Sequence, residues 1–110
     1  MNGVTVLAVK VELLSMPALR EMGDILRDSL GSAVIVLATI YQEKLNFLVM
    51  VSQDLVIRGL HAGNIVKQVA KVTGGGGGGQ AGMAQAGGKD VAKLDEALGS
   101  VGDIVSRQIG

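Results

Sequence analysis

Residues 74–79 are six consecutive glycines, near the head of a stretch, VTGGGGGGQAGMAQAGGKD, that runs from Val72 to Asp90. No other feature limits the fold as much. Glycine loses more backbone freedom on folding than any other residue, at roughly 0.5–1 kcal/mol against alanine in a regular element. Ordering the whole run costs on the order of 3–6 kcal/mol, against the ~5–15 kcal/mol that holds a small domain together. The run is therefore either a disordered tether or a segment ordered because something approaches its backbone closely. A tether normally joins two folded units, yet beyond the glycines there is only one amphipathic helix, which has to pack back on a core. The residues QAGMAQAGGKD are small or amide-bearing and poor in charge, which suits packing beside backbone. From the residues alone both readings stand.

The rest of the chain supplies the core. With 110 residues, 48% of them apolar, it is long enough for one domain and too apolar for a disordered segment. No apolar run reaches the ~18–20 residues that cross a bilayer. The opening MNGVTVLAVKVELL lacks the basic start and small-residue cleavage site of a secretory signal. The absence of cysteine excludes disulfides and thiolate metal sites and fits a cytoplasmic setting. Formal net charge is zero, so no global field announces a polyanionic partner. The charge is unevenly spread, however. From Leu55 to Leu94 five basic residues (Arg58, Lys67, Lys71, Lys89, Lys93) face one acid, Asp90, and the glycine run lies inside that basic segment.

Hydrophobic patterning outlines the order of elements. VTVLAVKV, from Val4 to Val11, reads as a strand buried on both faces. Next comes a helix, with Ser15 as N-cap, Pro17 in the first turn, Leu19, Met22, Leu26 and Leu30 at helical spacing, and Gly31 as the stop. AVIVLATI (Ala33 to Ile40) and LNFLVMV (Leu45 to Val51) form a hairpin across the polar connection Tyr41 to Lys44. LVIR, from Leu55 to Arg58, is a candidate short edge strand. A second helix spans Leu60 to Thr73, with an apolar face of Ala62, Ile65, Val66, Val69 and Val72 and a polar stripe of Asn64, Lys67 and Lys71. The last helix starts at Asp90, with a kink expected near Gly99 and Gly102. The fold class is α/β: a single small domain, residues 1–110, with a mixed sheet of three or more strands. Its order is β-α-β-β-α-α, with about three helices and a glycine-rich loop at 74–89.

Few motifs survive testing. The phosphate-binding loop G-x-x-x-x-G-K-[ST] fails at MAQAGGKD, where Met83 replaces the first glycine and Asp90 the hydroxyl. G-x-G-x-x-G matches at Gly74, Gly76 and Gly79, but it comes after a helix where a dinucleotide fold needs a strand. His61, the lone histidine, reads first as a polar helix-start residue with no metal partner at ligand spacing. Lys67 and Lys71 read first as a solvated helix face, and Met16, Met22, Met50 and Met83 as core filler. No nucleophile–base or paired-carboxylate constellation stands out. With Tyr41 and Phe47 the only aromatics, the chain has little with which to stack several unpaired bases. Any nucleic-acid contact has to rest on phosphates, backbone amides and shape.

The segments HAGNIVKQVAKVTGGGGGG, MAQAGGKD, KLDEAL and LREMGDILRDSLGSAVIVLAT closely resemble the C-terminal domain of alanyl-tRNA synthetases, in the DHH-associated domain family. The resemblance covers the chain from about Val4 to Val105. One departure is that Gln80, Ala81 and Gly82 stand where the family usually has a basic residue, proline and aspartate. The resemblance implies a noncatalytic RNA-binding appendage that approaches the elbow of alanine tRNA and works beside the aminoacylation and editing domains of its parent, an alanine–tRNA ligase. It implies no cofactor for this domain, since ATP and zinc belong to other parts of such an enzyme, and a cytoplasmic location. It also resolves the opening alternative toward an ordered loop whose amides face RNA. The residues it implicates are His61, Asn64, Lys67, Lys71, Gly74, Gly75, Gly76, Gly77, Gly78, Gly79, Gln85, Gly87, Gly88 and Lys89, with Arg58 and a protonated His61 as auxiliary cations. On that reading a valine at Gly76 or Gly77 weakens RNA binding with little loss of stability. Readings of another class are a small-ligand or nucleotide-binding domain and a structural dimerisation module.

Overall fold

Two strands carry the architecture because every residue along most of their length is apolar. In the computed structural model, which describes residues 4–12 and 15–109, they are β2 (Ala33–Tyr41) and β3 (Lys44–Val51). They pair antiparallel from Val34↔Val51 to Tyr41↔Lys44. Alternation sorts their side chains into two cores. Val34, Val36, Ala38, Leu45, Phe47, Val49 and Val51 enter the larger one, and Ile35, Leu37, Leu48 and Met50 the smaller. Each fully buried Leu, Ile or Phe stabilises the fold by about 1.5–3 kcal/mol relative to exposure. The connecting residues Gln42 and Glu43 have φ of 51° and 64°, the left-handed pair that a two-residue type I′ turn requires.

α1 (Met16–Leu30) covers the smaller core with Leu19, Met22 and Leu26. Ser15 Oγ caps it, accepting from the Ala18 N–H at 3.4 Å. Gly23 lets it sit close to β3, since a Cβ there would lie 2.8 Å from Met50 Sδ. α3 (Ala62–Val72), α4 (Leu94–Gly99) and α5 (Val101–Ile109) cover the larger core. With β1 (Thr5–Glu12), β4 (Gly76–Gly79) and β5 (Met83–Gly88), the domain is an α/β/α sandwich around a five-stranded mixed sheet of order β1-β2-β3-β5-β4, β1 running parallel to β2 and the other pairs antiparallel. Among the described residues, no helix is long and apolar enough to cross a membrane.

Four expectations change. The apolar run at the start predicts a strand buried on both faces; instead β1 ends the sheet, and Val6, Leu7, Ala8 and Val9 are half-buried. Leu55–Arg58 is not an edge strand. Residues Gln53–Ile57 form a short helix, α2, because Leu55 drops into the larger core while the Val56 N–H bonds back to Ser52 O. The last helix is broken and not merely kinked: Asp90 caps a 3-10 turn over Val91–Lys93, and α4 gives way to α5 at Ser100. Fourth, the glycine-rich segment is ordered as a β-hairpin, not as a loop. β4 (Gly76–Gly79) pairs antiparallel with β5 (Met83–Gly88), and β5 in turn pairs with β3.

The glycines of that hairpin divide by parity. A Cβ on Gly75 would run into the Gly87 carbonyl, and one on Gly77 into the Gln85 carbonyl and Ala86; on Gly79 it would stand 2.7 Å from Ala84 Cα. Real Cβ atoms do not approach backbone that closely. Gly76 has nothing within 4 Å, and Gly78 meets only Lys67 Cε at 3.3 Å. The odd glycines therefore exist so that β4 can close on β5, while Gly76 carries no such burden. A valine at Gly77 would thus cost stability, against the expectation from the sequence.

Two stability measurements check this description. Gly77→Ala should cost about 1–3 kcal/mol in urea unfolding, the usual range for overpacking, and Gly76→Ala should stay within about 0.5 kcal/mol of the parent. Equal effects would show that the hairpin does not close as described. At the β2–β3 turn, Gln42→Asn with Glu43→Gly should raise stability by about 0.5–1 kcal/mol, because those residue types take the left-handed conformation at less cost.

Candidate nucleic-acid interface

β4 is the free edge of the sheet and carries no side chains. The Gln80 N–H donates to Met83 O at 2.9 Å, which fixes the phase of the ladder. Antiparallel pairs alternate, so Gly76 and Gly78 turn their amides toward β5, and Gly77 and Gly79 turn theirs away from the sheet. Gly76, Gly77 and Gly79 are exposed. The result is a flat strip of backbone that a planar or phosphate-bearing surface can reach without meeting a Cβ.

α3 holds this strip at both ends. At its start, the Ala62 and Gly63 N–H groups donate to Ala81 O (2.8 Å) and Gln80 O (3.2 Å) of the hairpin turn. At its end, the Gly75 N–H donates to Ala70 O (2.9 Å), and the Lys89 and Asp90 N–H groups donate to Thr73 O (3.1 and 2.9 Å). Helix N-terminal amides commonly bind anions. Here the hairpin carbonyls use two of them, and His61 Nδ1 accepts from the third, the Asn64 N–H, at 3.2 Å. The positive end of α3 is satisfied internally.

The residues singled out in the sequence fall into three groups. Lys67 and Lys89 flank the glycine strand. Lys67 runs its stem against Gly78, and Lys89 Cβ lies 3.9 Å from the place a Cβ would take on Gly74. Gln85 and Gly87 stand on β5 opposite Gly78 and Gly76, half-buried and exposed respectively. A second group serves the fold. Gly88 is pressed against Leu45 and Thr73, where a Cβ would lie 2.6 Å from each side chain, and Gly74 turns the chain with φ of 76°. His61 belongs here too: as the N-cap its Nδ1 accepts from the Asn64 N–H, which ties the ring to the start of α3.

Asn64 and Lys71 form the third group, exposed on the crest of α3. Lys71 also faces α5, where it lines a groove with Asp103 and Arg107. Arg107 is not among the residues the sequence singles out, because it lies beyond the basic segment from Leu55 to Leu94. The signal was present in the amphipathic pattern of the last helix, whose seam of Val101 and Val105 leaves Arg107 exposed. Arg58, beyond α2, is exposed as well.

The opposite side of the sheet is different in character. Arg27 on α1 is paired with Asp24 at 2.9 Å and with Asp28 at 3.9 Å, so its charge is largely compensated. Elsewhere, Asp54 on α2 accepts from the Ser32 and then the Ser52 hydroxyl, and those bonds hold its carboxyl below the usual carboxylate range. Among the described residues, no group of three or more His, Cys, Asp or Glu is placed to hold a metal ion.

Comparison with known proteins agrees on one family. Residues 3–107 match the DHHA1 domain. The chain is 56% identical over 104 residues to the alanine–tRNA ligase of Bacillus subtilis and 47% identical over 108 residues to that of Clostridioides difficile. Those alignments cover 94% and 98% of the chain but 12% of each relative, so the chain spans about an eighth of their length. Among solved structures, the C-Ala domain of Aquifex aeolicus alanyl-tRNA synthetase superposes with a TM-score of 0.81 at 32% identity, over 94% of this chain and 90% of that one. The family match spans residues 3–107, and the superposition covers nearly the whole of both chains: the chain belongs to the DHHA1 domain family.

Proposed function

We propose that the chain acts as the C-Ala domain of an alanine–tRNA ligase and binds folded tRNA through the glycine edge. The observation that carries this reading is the bare glycine run with two lysines beside it that have no ion pair among the described residues, Lys67 beside Gly78 and Lys89 beside Gly74. Backbone amides and two ammonium groups suit phosphates and the flat face of a base pair, and they carry no means of reading base sequence. That chemistry fits the tRNA elbow, where the D and T loops meet in a compact surface common to folded tRNAs. In this role the domain performs no bond chemistry. It needs no cofactor of its own, ATP and zinc serving other parts of the parent enzyme. It keeps a tRNA within reach of the parent's aminoacylation and editing domains, in the cytoplasm.

The interface is small, so its affinity is moderate and its salt dependence shallow. Each phosphate neutralised contributes about 0.7–0.9 log units of affinity per log unit of salt. The test is titration with a complete tRNA transcript and with an acceptor-stem hairpin that lacks the elbow. The complete tRNA should bind and the hairpin should not. Lys67→Ala with Lys89→Ala should reduce affinity and lower the salt slope by up to about 2. Arg20→Ala with Arg27→Ala, on α1 across the sheet, should leave binding nearly unchanged. Equal sensitivity to the two double variants would place the RNA on another face.

A further inference from the structure

The groove between α3 and α5 is not accounted for by the glycine edge. It has a volume of about 330 Å³, at the low end of the ligand-sized range. Its floor is apolar, with Ile104 buried and Val72 half-buried. Its polar lining is Lys71, Asp103, Arg107, Ser100 and Gln68, whose amide nitrogen donates to Asn64 O at 3.4 Å and leaves its oxygen as a further acceptor. Asp103 and Arg107 stand four residues apart on α5, a spacing at which opposite charges ordinarily meet. Yet among the described residues the ion pairs are confined to Arg27 with its two aspartates. Two cations and one carboxylate therefore share a groove and leave one another unpaired.

The donor and acceptor inventory narrows the ligand. Lys71 and Arg107 only donate, and their charge suits a phosphate. Asp103 only accepts. Ser100 commits its hydrogen to Ala97 O at 2.7 Å, so its oxygen has lone pairs left to offer. A ligand that satisfies both sets carries an anion and a hydroxyl donor together. A phosphodiester alone or a protein carboxylate has no hydrogen to donate and would leave the acceptors unmet. A phosphate–ribose unit meets both requirements, because the 2′-hydroxyl donates where the phosphate cannot.

We propose that this groove holds one phosphate–ribose unit of the bound RNA, its phosphate neutralised by Lys71 and Arg107 and its 2′-hydroxyl donating to Asp103. The inference rests on the RNA-binding reading above, and continuity favours an RNA chain over a free nucleotide. Lys71 stands one helical turn from Lys67, on the α3 stripe that flanks the glycine strand, so a chain leaving β4 crosses the α3 crest into the groove. Asp103 thereby becomes the residue that tells RNA from DNA.

The test measures binding of one tRNA sequence made as RNA and as DNA, together with adenosine monophosphate, to the 110-residue chain and its Asp103→Ala and Arg107→Ala variants. Both side chains are exposed, and thermal unfolding is to be recorded for each variant as the check that it folds. The parent should prefer RNA about tenfold, the value of one hydrogen bond to a charged group. Asp103→Ala should narrow that preference to within about twofold. Arg107→Ala should weaken RNA binding and lower the salt slope by about 0.7–0.9. Lys67→Ala should weaken RNA and DNA in equal proportion. If Asp103→Ala strengthens RNA and DNA alike, the carboxylate is only a repulsive charge and the ribose assignment falls. If Arg107→Ala abolishes binding of the monophosphate yet leaves tRNA affinity intact, the groove is a free-nucleotide site and the inference falls. Either result leaves the glycine-edge reading standing. Failure of the parent chain to bind the tRNA at all, as RNA or as DNA, would remove both.

Discussion

Everything on the α3 side of this domain depends on missing Cβ atoms at alternate positions of one short strand. Gly75, Gly77 and Gly79 point the place of a side chain into the backbone of β5, so the two strands can pair only if nothing is there. That pairing sets the turn at residues 80–83, and the turn presents the Gln80 and Ala81 carbonyls to the first amides of α3. The seat of α3 is thereby fixed on small residues, Ala84 and Ala86 of β5 beneath it and Gly63 against Gly79 O. The conformational cost of ordering glycine is offset by hydrogen bonds at each end of the strand and by burial of the α3 face.

The division of labour across the sheet follows from composition. α1 presents Arg27 already matched to aspartates. α3 presents lysines with no acidic neighbour in its own sequence from Ala62 to Val72. A neutral protein can in this way keep one face attractive to phosphate without an overall positive field, and the attraction is confined to about a Debye length, ~8–10 Å in ordinary salt.

Much of this was legible in the sequence, and the failures have physical causes. β2, β3, α1 and α3 were readable because large apolar side chains repeat at clear periods, and Ser15, Gly31 and Asp90 punctuate as their chemistry predicts. β4 was not readable as a strand, since a run without side chains has no alternation. β5 does alternate, Met83 and Gln85 against Ala84 and Ala86, but the contrast between small residues is faint. α2 is five residues long, below the length at which a helical period can be told from a strand. The candidate site shows the same limit. The stripe of Asn64, Lys67 and Lys71 was visible on a helical projection, whereas its splitting between the glycine edge and the α5 groove depends on how α3 is rotated in its seat. Only packing decides that rotation. The capping role of His61 was foreshadowed by its place at the helix start.

The reciprocal bonds between α3 and the hairpin also bear on motion. The hairpin turn occupies the helix start, and the chain on either side of the hairpin bonds to the helix end, so neither can fray without stripping hydrogen bonds from the other. An edge strand of glycines would ordinarily be the first part of a sheet to open. Tied in this way, β4 shares the opening free energy of α3, and its inward amides at Gly76 and Gly78 should exchange together with those of the helix. A surface that looks like the loosest in the molecule is therefore held nearly as firmly as its core helix, and a partner that docks there has little ordering entropy left to supply.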